Sequence, residues 1–139
     1  MATASPTGLR LRRPADGAVI CDALTLGRSF SQRFLGLMGR SSIEEGAGLY
    51  LPTSSIHMMF MRFPIDALFV DGEDEQGAQR VVGIREHLPP WRGIVMPVRG
   101  AKAVIEMPAG TLERHGVATD DVVVIEPDDS AATDGMSAP

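Results

Sequence analysis

The stretch that decides the fold is Ile56-His57-Met58-Met59-Phe60-Met61-Arg62-Phe63-Pro64-Ile65-Asp66-Ala67-Leu68-Phe69-Val70-Asp71. It is the most apolar run of the chain, yet it holds His57, Arg62 and Asp66. Pro64 divides it, because proline removes a ladder donor and keeps the preceding residue extended. The expectation is two strand segments, 56–60 and 65–70, joined by a bend. In the second, Asp66 shares a face with Leu68 and Val70, opposite Ile65, Ala67 and Phe69. A carboxylate on an apolar face needs hydrogen bonds or a counter-charge, since a lone buried charge is costly. Arg62 is the nearest cation in sequence.

Turn chemistry and period-2 patterning place strands outward from this centre. Asp71 to Gly77 reads as a hairpin tip, and 80–86 returns as its partner strand. His87 to Gly93 is expected to be a loop carrying Trp91 and Arg92, with Trp91 either covering a pocket or plugging a barrel end. A strand follows over 101–107. One helical turn over 110–115 comes next, with Thr111 as N-cap and Gly116 as C-cap. The acidic turn Thr119-Asp120-Asp121 leads into a closing strand, 122–125. Upstream, 9–11 is a short edge strand, Pro14 to Gly17 a turn, 18–26 a strand and 49–51 a short strand stopped by Pro52. Phe30, Phe34, Leu37 and Met38 give an apolar helical stripe over 28–38. The sum is a β-rich α+β domain, a small barrel of seven or eight short strands with one helix and a helical turn. Residues 1–8 and 127–139 read as disordered ends, which leaves one domain over 9–126.

Composition bounds the function. The 139 residues suit a single domain, with 44% hydrophobic residues for its core. A net charge of −5 is not the footprint of a nucleic-acid binder. No apolar run is long enough for a membrane span and no secretory leader is visible, so a soluble, cytoplasmic protein is expected. Protein partners stay open. The single cysteine, Cys21, forms no internal disulfide and reads as a small buried hydrophobe. Met58, Met59 and Met61 read as packing rather than copper ligands. The acids between Asp71 and Gly77 lack the spacing of a calcium loop. No cofactor or metal is expected.

Four motifs in order carry a resemblance: Arg33-Phe-Leu-Gly-Leu-Met-Gly-Arg40, Ile56-His57-Met-Met-Phe-Met-Arg62-Phe-Pro-Ile-Asp66, Pro90-Trp91-Arg92 and Glu106-Met-Pro-Ala-Gly110. Together they resemble the DUF192 family, also called UPF0127, over about residues 18–126. The resemblance implies a small barrel-like domain of unknown function. Many members carry a Phe-Trp-Met-Lys-Asn-Thr segment where this chain has Ile56 to Met61, so no role for that lysine transfers. Many also close on a Gly-Asp turn where this chain has Asp120-Asp121.

Three functions remain in play. The favoured one is binding of a small anionic or polar ligand by His57, Arg62, Asp66, Trp91, Arg92, Arg33, Arg40 and Glu106. Arginine suits carboxylate or phosphate through its planar fork, and Asp66 would orient an arginine. The second is an enzyme with Asp66 and His57 as base and acid, although no nucleophile motif or phosphate loop supports it. The third is an accessory or protein-interaction domain whose polar cluster holds the fold.

Overall fold

The computed structural model describes residues 8–27, 44–57, 63–89, 94–95 and 97–127. The stripe expected over 28–38 and the tail after 127 lie outside them. Nine strands and one short helix are described: β1 (Leu9–Arg13), β2 (Ala18–Leu26), β3 (Ala47–Leu51), β4 (Ile56–His57), β5 (Ile65–Val70), β6 (Ala78–Leu88), β7 (Ile94–Val95), β8 (Ala103–Pro108), α1 (Thr111–Arg114) and β9 (Val122–Pro127). Seven strands form a closed barrel in the order β1-β2-β3-β8-β5-β6-β9, with β9 returning to β1. The pair β4 and β7 makes a separate two-stranded ribbon. The barrel and its short helix match the fold class read from the sequence.

β5 is the axis of the molecule. It pairs antiparallel with β6 on one side and β8 on the other, and all six of its residues are buried. Leu68 and Val70 point inward with Ile105, Met107, Leu11, Leu24 and Val123, filling the barrel. Ile65, Ala67 and Phe69 point outward, where they pack with Phe63, Leu51 and Val104 in a second apolar cluster. A wholly buried leucine such as Leu68 contributes enough that truncation to alanine costs about 2–5 kcal/mol.

Several local expectations are corrected. Residues 9–11 are not an edge: β1 lies between β2 and β9 and closes the barrel. Alternation along β2 fails because the β1–β2 register shifts twice, so Ile20 and Cys21 are both buried. β6 runs on through His87, which enters the strand with φ 53 instead of opening a loop. β8 begins at Ala103 and accommodates Pro108 as its last residue. The N-cap of α1 is Gly110, at φ 95, and not Thr111. Thr111 instead donates its hydroxyl to Pro108 O at 2.7 Å, leaving the cap to a side chain from elsewhere.

Candidate functional site

The side chain that caps α1 is Asp66. Its Oδ2 accepts the amides of Gly110 and Leu112, each at 3.0 Å, and its Oδ1 accepts the amide of His87 at 2.9 Å. Asp66 is completely buried. One carboxylate therefore ties the left-handed end of β6, the turn after β8 and the first turn of α1 to the centre of the sheet. Buried amides must be paired, and hydrogen bonds to a charged acceptor are the stronger kind. The requirement that Asp66 be hydrogen-bonded is met by backbone donors.

Glu106, on β8, is likewise completely buried, but it faces the other way. It sits opposite Ala67 on β5 and Leu49 on β3, which places it with the outer apolar cluster. Asp66 lies opposite Met107, an inward residue. The sheet thus separates the two carboxylates that the sequence reading had grouped into one pocket. Barrel closure accounts for Asp66.

Of the other candidates, His57 lies in β4 opposite Ile94 of β7. That pairing sets the central stretch beside the segment that begins two residues after Arg92. Arg33, Arg40, Arg62, Trp91 and Arg92 lie outside the described residues. Cys21 is buried, and desolvation, with a smaller push from Asp22, raises its thiol to about 12. Such a thiol is not a nucleophile at neutral pH. Among the described residues no group of three histidine, cysteine or acidic side chains could hold a metal, and no helix is long and apolar enough to cross a membrane.

Two polar networks went unread in the sequence. Arg13 donates to Asp16 and Asp121 and to the carbonyls of His115 and Gly116, pinning α1's exit to the β1–β2 turn. These contacts hold Asp16 at about 2, chiefly through the Arg13 hydrogen bond. Inside the barrel, Gln79 Nε2 donates to Tyr50 Oη at 3.2 Å and to Asp71 O at 2.8 Å. Apart from the local Arg13–Asp16 pair, both networks join residues far apart in the chain, so no local pattern announces them.

Comparison with known proteins agrees with this architecture. The DUF192 family model, described as an uncharacterized ACR, matches residues 14–125. The chain belongs to the DUF192 (UPF0127) family. A UPF0127 protein of Thermococcus sibiricus is 34% identical over 102 residues, which cover 70% of this chain and 62% of that protein. The chain therefore spans somewhat under two thirds of that relative's length. A UPF0127 protein of Pyrococcus furiosus is 37% identical over 67% of this chain and 78% of its own. Among solved structures, a Sinorhizobium meliloti protein proposed as a transcription regulator superposes with TM-score 0.64 and 26% identity. That match covers 86% of this DUF192 chain and 91% of the other. A protein of unknown function from Novosphingobium aromaticivorans gives TM-score 0.61 at 23% identity, over 83% and 81% of the two chains, and shares the fold.

Proposed function

We propose that this DUF192 domain binds a small anionic or polar ligand on the outer face of the barrel, beside the β4–β7 ribbon. The observation that supports this reading is Glu106, a completely buried carboxylate on the sheet face that carries the outer apolar cluster of described residues. A buried carboxylate is stable only when paired, and Glu106 stands on the sheet face opposite the Asp66 network. In this reading Glu106 orients an arginine. Arg62, Arg92, Arg33, Arg40 and His57 supply the cationic contacts, and Trp91 supplies apolar wall. Asp66 drops out of the ligand contacts, because both its oxygens serve backbone amides. The same engagement and burial count against Asp66 as a general base, which must reach the proton it removes. The regulator description of the Sinorhizobium meliloti protein is not carried over, since a net charge of −5 does not favour binding to DNA.

The test is a thermal-shift panel of carboxylates, phosphates, nucleotides and sugars, run on the wild type, Arg62→Ala and Glu106→Gln. A ligand at 100 times its Kd should stabilise the wild type by about 2.7 kcal/mol. That gain should vanish in both variants while each remains folded. A panel with no hit, together with strong destabilisation of both variants, would assign the outer cluster to the fold and favour the accessory-domain reading.

A further inference from the structure

β2 is longer than the strand beside it. β3 pairs in parallel with β2 only from Ala23 to Leu26, where Ala47 to Tyr50 lie alongside. Upstream of Ala47 the chain turns away at Gly46, whose φ of 89 suits the left-handed turn. The Gly46 carbonyl accepts both the Asp22 and Ala23 amides, which ends the ladder. Among the described residues, Ala18 to Cys21 therefore have β1 as their only strand partner. The lane that β3 would occupy next to them is a groove of about 380 Å³.

The groove has two fixed walls. On one side are Val19, Ile20 and Asp22 of β2, and on the other Arg114 and His115 at the end of α1. Arg13 holds the second wall by donating to His115 O at 2.8 Å and Gly116 O at 3.2 Å. Glu45 and Gly46 form the floor's end, where Glu45 approaches Arg114 at 3.5 Å. Asp22 is exposed and has no ion-pair partner among the described residues. An open strand edge offers backbone donors and acceptors to an added strand, and flanking side chains choose its sequence.

We infer that this groove takes an extended peptide segment as an added strand on β2, with a lysine or arginine of that segment facing Asp22. With the Ala18 amide already donating to Asp16 at 3.1 Å, the edge from Val19 to Cys21 spans about 10 Å, enough for three or four peptide residues. The charge argument fixes the occupant's sign. Among the described residues Asp22 has no ion-pair partner, Arg114 and Glu45 approach at 3.5 Å and so offset each other, and the whole chain carries −5, so a basic segment is drawn in and an acidic one repelled. This site is separate from the outer-face pocket around Glu106, and the two stand or fall independently.

The experiment is an amide-resolved NMR titration of the full chain with an acetylated six-residue peptide alternating valine and lysine. Three probes run alongside: the glutamate counterpart, the same lysine peptide N-methylated at alternate backbone nitrogens, and free lysine. The lysine peptide should shift the amides of Ala18 to Asp22 with saturation below about 1 mM, while the three control probes leave them unmoved. Asp22→Asn should weaken the peptide about 3-fold at low salt, as for an exposed ion pair. Absence of shifts in 18–22 overturns the inference. Equal shifts from the N-methylated peptide or from free lysine also overturn it, because they would show charge attraction without strand addition.

Discussion

Asp66 and Glu106 are two fully buried acids on neighbouring strands, yet they do different things because the pleat turns them to opposite faces. Asp66 faces the barrel interior and gathers three backbone amides from β6, the turn after β8 and α1. Glu106 faces the outer cluster with Ala67 and Leu49 across from it. The first is explained by folding, since without it the buried Leu112 amide and the part-buried amides of His87 and Gly110 would lose their acceptor. The second faces away from that network, and the proposed ligand site is placed on its side of the sheet. Burial alone does not separate a structural acid from a functional one. What separates them is whether the backbone around the acid needs an acceptor.

Removing the inward acid breaks this comparison hardest. Asp66→Ala should cost about 3–5 kcal/mol, because it strands buried donors as well as removing three bonds. Urea unfolding reads this directly. Asp66→Asn keeps one carbonyl acceptor and should recover part of that loss. If Asp66→Ala is nearly neutral, the amides of Gly110, Leu112 and His87 have other acceptors, and the division between the two acids collapses.

The outward acid should show the opposite balance. Glu106→Gln keeps the shape and should cost about 1.5–3 kcal/mol, in the range of one charged hydrogen bond, while abolishing the response to any ligand found in the panel. A loss as large as that of Asp66→Ala, with ligand response intact, would make both acids structural.

The sequence carried the frame further than the site. The bounds of β2 and β5 were legible because the turn residues and prolines that flank them are local signals. The hairpin at 71–77 was legible for the same reason: Asp71 and Asp74 cap it through the Arg80, Gln76 and Ala78 amides. The opposed faces of Val104 and Ile105 also follow from simple alternation. What could not be read was the identity of Asp66's partners, whose donors lie 21, 44 and 46 residues along the chain. Arg62 was the nearest cation in sequence, but the fold brought amides. Thr111 looked like the cap of α1 for the same reason, since only tertiary structure brings Asp66 there. Most of the Arg13 network was invisible because its acceptors at 115, 116 and 121 reach Arg13 only when the barrel closes.

A third acid lies on the outer surface, where solvent weakens what the interior strengthens. Glu126 accepts from Arg10 and from Arg12, with Arg12 Nε at 2.9 Å, across the β1–β9 seam. Those hydrogen bonds, Arg12's foremost, hold its carboxyl below the usual range. Its folded pKa is therefore depressed, so its stabilisation is full above the unfolded value and is lost as pH falls through the folded one. Glu126→Gln should cost about 1 kcal/mol at pH 7, because the group is only partly buried. The gap in urea midpoint should begin to close below about pH 4.5. A gap that persists unchanged into strong acid would mean that packing, not charge, holds the seam.

The smallest effect belongs to Asp120, an acid whose backbone carries its role. Its φ of 79 is left-handed, and its amide donates to Val81 O at 2.9 Å. The family resemblance sets a Gly-Asp turn against Asp120-Asp121, and glycine adopts this conformation without steric cost. The neighbouring Asp121 is different, since its carboxylate accepts the Ala118 amide and an Arg13 bond. Relief of left-handed strain should exceed the extra freedom glycine gives the unfolded chain, so Asp120→Gly should stabilise by about 0.5 kcal/mol, read as a small rise in urea midpoint. Asp121→Gly should instead destabilise. If Asp120→Gly lowers the midpoint, the carboxyl at 120 makes a contact of its own. The rule drawn from Asp66 and Glu106 would then have to be applied at the surface as well, where a backbone conformation alone would no longer explain an acid's place.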